Sequence, residues 1–96
     1  MIQATGTITK SDGVTTYVNP LINVYFSSPT KGEPNIIAAQ VCKQVTENDE
    51  IFIVTVRDGE ILQATFVQDN PTFEQAQTAL KTALETTFPN IQFEIV

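Results

Sequence analysis

The stretch IFIVTVRDGEILQATFV, residues 51–67, decides how the rest of the chain is expected to fold. Two runs of β-branched and aromatic residues in it flank Asp58-Gly59. An Asp-Gly pair between two such runs is the strongest short-range signal for a β-hairpin, because a type I′ turn needs positive φ at both central residues. The pattern therefore predicts a turn at Asp58-Gly59, with Arg57 opposite Glu60.

This register predicts two faces on the hairpin, because side chains alternate across a sheet. The first face consists of Ile51, Ile53, Thr55, Leu62, Ala64 and Phe66. The second face consists of Phe52, Val54, Val56, Ile61, Gln63, Thr65 and Val67. Both faces are mostly apolar, whereas a hairpin with one face in water shows apolar and polar residues in alternation. We therefore predict a central pair of strands covered on both sides.

The chain before this stretch contains a second turn signal. Ser11-Asp12-Gly13 predicts an N-terminal hairpin between residues 2–10 and the strand-like residues 14–18. Residues 21–26 (LINVYF) are a short apolar strand, and the proline- and glycine-containing residues 27–35 are a loop.

Residues 36–45 (IIAAQVCKQV) fit both a helix and a strand. As a helix, Ile37, Val41 and Val45 fall on one stripe; as a strand, they share a face with Ala39. The helical alternative gives a ferredoxin-like βαββαβ order preceded by the N-terminal hairpin. We favour the strand, because β-branched residues stand at both ends of the segment and the preceding loop looks like a long hairpin connection.

Residues 72–87 carry the clearest helix signal. Thr72 and Gln75 have the spacing of a capping box. The apolar residues that recur at helical spacing are Phe73, Ala76, Leu80, Ala83, Leu84 and Phe88. Residues 91–96 alternate as a final strand. The predicted fold is α+β, a mostly antiparallel sheet built from hairpins with the amphipathic helix 72–87 packed on one face.

Length and composition limit the classes of function. A chain of 96 residues is one domain, residues 1–96, and buries roughly 60 to 65% of its unfolded surface. A hydrophobic content of 42% with 17% charged residues argues against disorder. The net charge is −6 and the five basic residues are scattered singly, so direct binding to nucleic acid or to an anionic membrane is disfavoured.

The residues that usually carry catalysis are scarce. The chain has no histidine and a single cysteine, Cys42, so it can form no internal disulfide. Cys42 fits a buried structural residue better than a nucleophile. The first residues show no secretory leader pattern, and there is no run of 18 apolar residues. We expect a cytoplasmic protein, or one of the host cytoplasm or virion if its source is a virus, without a cofactor.

Acidic residues form two small groups that suggest chemistry only weakly. Glu47, Asp49 and Glu50 do not match a calcium-binding loop, because Phe52 stands where the sharp turn requires glycine. The carboxylates beside Gly59 are accounted for by the predicted turn and an ordinary cross-strand ion pair. We therefore expect no metal site and no enzyme activity.

The remaining signal is apolar surface that one helix cannot cover. The second hairpin face would leave a patch of roughly a few hundred Å², about the largest that monomers expose. The candidate interaction surface is Phe52, Val54, Val56, Ile61 and Val67. We expect a non-catalytic protein–protein interaction or assembly module, either a homo-oligomer or a small subunit of a larger particle such as a virus particle. The alternative is a small acidic inhibitor, of the counter-defence or nucleic-acid mimic type, that binds the basic groove of a partner protein.

Overall fold

The computed structural model describes residues 1–27 and 33–96. The elements in chain order are β1 (Ile2–Thr5), β2 (Thr7–Thr9), β3 (Thr16–Val18), β4 (Leu21–Ser27), β5 (Asn35–Glu47), β6 (Glu50–Phe66), α1 (Phe73–Thr87) and β7 (Gln92–Ile95). Within the described residues, five strands form an antiparallel sheet in the order β6-β5-β4-β1-β7, and β2 and β3 form a separate hairpin. The predicted α+β fold, with a C-terminal helix and a final strand, is confirmed.

The ambiguous segment 36–45 is part of strand β5. It pairs with β4 from Leu21↔Cys42 to Ser27↔Ile36, and with β6 on its other side. The strand prediction is therefore confirmed, and the helical, ferredoxin-like alternative is wrong. The physical reason is that two neighbouring strands use the backbone donors and acceptors of this segment on both sides. The loop predicted over residues 27–35 lies mostly outside the described residues.

The predicted hairpin turn at Asp58-Gly59 is wrong. Strand β6 continues through these residues and pairs with β5 on both sides of them. The predicted pairing of Arg57 with Glu60 is consequently absent, since both residues belong to the same strand. In addition, β6 is an edge strand of the sheet and not half of a central pair.

The turn that joins β5 to β6 is at Asn48-Asp49. The two residues have φ values of 51° and 63°, and Glu47 pairs with Glu50 across them. Positive φ at both central residues is the requirement of a type I′ turn, and Asn and Asp tolerate this conformation better than other non-glycine residues. An Asn-Asp turn therefore takes the place of the predicted Asp-Gly turn.

Asp58-Gly59 belong to a large bulge in β6. Gln40 pairs with Glu60 while Cys42 pairs with Thr55, so the single residue Val41 of β5 faces residues 56–59 of β6. Asp58 has a φ of 55° within this bulge. The left-handed conformation that Asp often adopts in Asp-Gly turns therefore occurs here inside a strand, where it interrupts the pairing.

The helix α1 covers one face of the sheet. Its capping box forms as predicted: Thr72 Oγ1 accepts a hydrogen bond from the backbone N–H of Gln75 at 3.1 Å, and Gln75 Oε1 accepts one from the backbone N–H of Thr72 at 2.9 Å. The fully buried leucines Leu80 and Leu84 lie in the core. The buried core cluster is Ile2, Ala4, Ile8, Ile22, Val24, Ile37, Ala39, Ala76, Leu80, Leu84 and Phe93.

The two ends of the chain meet in the sheet. The predicted turn at residues 11–13 closes the β2–β3 hairpin, but only residues 7–9 of the predicted first strand take part in it. Gly6, with a φ of 132°, separates β2 from β1, which pairs with β4 and β7 instead. Strand β7 pairs with β1 through Ile2↔Ile95 and three further residue pairs.

Among the described residues, no helix has the length and hydropathy needed to cross a membrane.

Candidate interaction surface

Four consecutive apolar side chains at the start of β6 are exposed to solvent. Ile51 is 66% exposed, Phe52 45%, Ile53 40% and Val54 37%. In the described part of the chain, none of the four belongs to the core cluster or to the apolar residues packed against it. We call this end of the β5–β6 hairpin, residues 43–55 with the Asn48-Asp49 turn, the β-arm.

On its β6 strand, the β-arm carries apolar side chains on both faces. Phe52 and Val54 lie on one face, and Ile51 and Ile53 lie on the other, because successive side chains of a strand alternate. Full burial of such a side chain contributes about 1.5 to 3 kcal/mol. The β-arm therefore carries a substantial driving force for association that the described residues of the chain leave unused.

The predicted interaction residues are not brought together. Phe52 and Val54 lie on the β-arm, whereas Val56 is half-buried at the start of the bulge. Ile61 packs against the core cluster, and Val67 lies beyond the end of β6 with 91% of its surface exposed. A turn at Asp58-Gly59 would have grouped these residues on one face, but the continuous strand distributes them along its length.

Two residues that the sequence pattern places on a covered face are exposed in the structure. Ile51 and Ile53 were expected beneath a covering layer, yet both are exposed on the β-arm. A signal for them is present in the sequence, since the apolar run follows Asn48-Asp49, a pair able to form a hairpin turn. Placing the turn there makes residues 51–54 the start of a strand at the tip of a hairpin.

The β-arm also presents unpaired backbone. Strand β6 is at the edge of the sheet, so one side of it has no neighbouring strand among the described residues. The residues that flank a two-residue loop form a hydrogen-bonded pair, and such pairs alternate with non-hydrogen-bonded ones along the ladder. Counting from the Glu47–Glu50 pair, the N–H and C=O groups of Ile51, Ile53 and Thr55 point toward the open edge.

Two cations lie at the bulge, next to the β-arm. Lys10 donates a hydrogen bond from Nζ to the carbonyl oxygen of Asp58. The Arg57 side chain is 97% exposed, and its Nε lies 3.9 Å from Asp58 Oδ2. A depression of about 450 Å³ at this point is lined by Lys10, Gln40 and residues 55–60. Its lining is mostly polar and the depression is open to solvent, so it offers no enclosed site for a small molecule.

The only cysteine is a poor nucleophile. Cys42 is buried, and its thiol lies 3.5 Å from the backbone oxygen of Leu21. Desolvation by burial raises the pKa of this thiol, which disfavours the reactive thiolate. In residues 1–27 and 33–96, no three Asp, Glu, Cys or His side chains are close enough to hold a metal ion.

Asp12 titrates at an unusually low pH. The backbone N–H and the hydroxyl of Thr15, together with the backbone N–H of Val14, donate hydrogen bonds to its carboxylate and lower its pKa from the usual 3.8 to about 2. Because the pKa of Asp12 is lower in the folded protein than in the unfolded chain, the ionised carboxylate stabilises the fold. This contribution is complete above pH 3.8 and is lost as the pH falls through about 2.

We therefore expect the carboxyl carbon of Asp12 to titrate in an NMR experiment with a midpoint near pH 2, together with the amide of Thr15. In the Asp12→Asn variant, the titration of the Thr15 amide should disappear, because no charge remains at this position. A midpoint at the ordinary value of 3.8 in the wild-type protein would contradict the hydrogen-bonded turn.

Comparisons of this chain with models of protein families, with curated proteins and with solved structures found no match.

Proposed function

We propose that the protein is a non-catalytic assembly module that associates with other protein chains through its β-arm. The observation that carries this proposal is the run of four exposed apolar residues, Ile51 to Val54, on an edge strand. Natural proteins blunt such edges with charges, proline or bulges, because an open apolar strand is a template for pairing with another chain. Residues 51–55 contain neither a charged residue nor proline, and they pair with β5 without a bulge.

The extent of the surface supports the proposal. A folded monomer of 10.6 kDa has an expected accessible surface of about 5,500 Å². This chain exposes 6301 Å², roughly 800 Å² more, which is about the area that one partner contributes to a standard protein–protein interface. Its radius of gyration of 14.0 Å likewise exceeds the value of about 12.5 Å expected for a compact chain of this length.

The chemistry of the β-arm favours an apolar protein partner. An acidic inhibitor that mimics nucleic acid would need carboxylates on its binding face, and the β-arm has them only around its turn, at Glu47, Asp49 and Glu50. Behind the turn, the side chains of β6 are apolar on both faces from Ile51 to Val54, and the charged residue that β5 adds there is a cation, Lys43. In this proposal the chain works in the cytoplasm or in a virus particle, as a homo-oligomer or as a small subunit of a larger assembly.

Self-association is tested by light scattering on the purified protein from micromolar to millimolar concentrations. We expect the mass to rise from 10.6 kDa toward a multiple of it as the concentration increases. Added salt should favour the associated form, because it screens the repulsion between chains that each carry a charge of −6. A single-chain mass over the whole range would overturn self-association.

The contribution of the β-arm is tested by the Val54→Asp variant, with Val14→Asp as the matched control. Val54 is 37% exposed and Val14, in the N-terminal hairpin, is 83% exposed, so neither change should unfold the chain. We expect Val54→Asp to remain monomeric and Val14→Asp to associate as the wild type does. Equal association of both variants would mean that the contact surface lies elsewhere.

A further inference from the structure

We infer that the open edge of β6 in the β-arm pairs with the same segment of a second copy of this chain, antiparallel and about a two-fold axis at Ile53, to form one continuous sheet. This inference rests on the proposed function and specifies its partner and its register. A two-fold interface uses the same surface on both chains, and an antiparallel strand pair satisfies that symmetry.

The backbone determines the register. Ile51, Ile53 and Thr55 point their N–H and C=O groups outward, and Ile53 is the middle one of the three. An axis at Ile53 places Ile53 opposite Ile53 of the second copy and Ile51 opposite Thr55, so every outward donor meets an acceptor. An axis at Phe52 or Val54 would pair only two of the three outward residues of each strand, because the third would lie opposite the Asn48-Asp49 turn or the bulge, where regular pairing ends. An axis at Ile51 or Thr55 would pair only one.

The side chains fit the same register. Phe52 of each chain lies opposite Val54 of the other, so four apolar side chains join on one face of the new sheet. On the other face, the two Ile53 side chains lie side by side between the Ile51–Thr55 pairs. None of the residue pairs on the two faces contains a charged residue, and their apolar members, Ile51 to Val54, are exposed in the single chain.

The charges beside the strand are complementary in this register. If the same register is extended beyond the Ile51–Thr55 pairs, Asp49 in the turn of one chain lies opposite Arg57 at the bulge of the other chain. The Arg57 side chain is 97% exposed, and Lys10 lies at the same bulge. The acidic turn of each β-arm therefore approaches the basic side of the other chain's bulge, and the two-fold axis produces this contact twice.

Disulfide formation tests the register directly. In a Cys42→Ala background, we expect Ile53→Cys to form a covalent dimer under mild oxidation, because directly opposed strand residues have Cα atoms about 5.5 Å apart. Ile51→Cys is the matched control: two copies of residue 51 would lie about 13 Å apart along the strands and cannot be bridged. Adding Thr55→Cys to Ile51→Cys should restore the crosslink.

A backbone variant provides a second test. The N–H of Ile53 points away from β5, so Ile53→Pro removes no hydrogen bond within the chain but blocks the pairing at the axis. We expect it to remain folded by circular dichroism and to be monomeric by light scattering. In the wild type, hydrogen exchange of the Ile51, Ile53 and Thr55 amides should slow as the concentration rises, whereas the Phe52 and Val54 amides should be protected at all concentrations.

The outcomes separate the register from the proposed function. A wild-type protein that stays monomeric at every concentration would overturn the pairing inferred here, and the proposed function would then stand only as association with a different protein. If the protein associates but Ile53→Cys crosslinks no faster than Ile51→Cys, the register is wrong and the proposed function stands. An Ile53→Pro variant that is folded and still associates like the wild type would also overturn the edge pairing.

Discussion

Replacement of Leu80 by alanine is expected to lower the free energy of unfolding by about 3 to 4 kcal/mol. Leu80 is fully buried on the sheet-facing side of α1 and belongs to the core cluster. Its truncation removes apolar contacts and leaves a cavity that the surrounding strands fill only in part. Since domains are typically stable by about 5 to 15 kcal/mol, the variant would lose a large share of its stability.

Urea unfolding followed by circular dichroism measures this loss, and Phe73→Ala is the matched control. Phe73 lies on the same helix and is larger, but half of its surface is exposed (50%). Its truncation should cost less than about 1 kcal/mol. Equal losses for the two variants would contradict the orientation of the helix. The control is informative because sequence periodicity placed both residues on the buried stripe.

Replacement of Gly59 by alanine is expected to cost about 2 to 3 kcal/mol. A Cβ atom at this position would lie 2.8 Å from the carbonyl oxygen of Val56 and 3.0 Å from that of Val41. Both are backbone atoms, so relief requires a shift of the bulge or of β5. Glycine is thus needed here because two backbone segments approach each other closely.

Asp58→Gly serves as the control for the bulge. Asp58 has a φ of 55°, a conformation that glycine adopts without strain, so this variant should be as stable as the wild type within about 0.5 kcal/mol. Thermal unfolding of the two variants side by side measures the difference. A Gly59→Ala variant as stable as Asp58→Gly would show that the bulge does not form as described.

The helix and the N-terminal turn were predictable because their signals are local. The capping box of Thr72 and Gln75 satisfies donors of its own first turn, and helical periodicity needs no knowledge of a distant partner. The turn at Ser11-Asp12-Gly13 is similar, since the Asp12 carboxylate binds residues two and three positions later. Short-range hydrogen bonds of this kind are encoded within a few residues.

The position of the central turn was not predictable in this way. Asn48-Asp49 and Asp58-Gly59 both tolerate positive φ, and either can reverse a chain or interrupt a strand. The choice depends on the partner: β5 pairs with β6 on both sides of Gly59, and a turn at Asp58-Gly59 would forfeit that pairing. Long-range pairing therefore overrides the stronger local turn signal.

By itself, the sequence determined an α+β chain with a capped helix, strands rich in β-branched residues and an apolar run at residues 51–54. Only the tertiary structure decided that this run lies at an open edge, because the predicted partner strand is instead the continuation of β6 itself. With Ile61, Leu62 and Phe66 drawn into the core, residues 51–54 extend without a covering layer among the described residues. Strand pairing between distant segments thus adds Ile51 and Ile53, which were predicted to lie on a covered face, to the candidate interaction surface that already contained Phe52 and Val54.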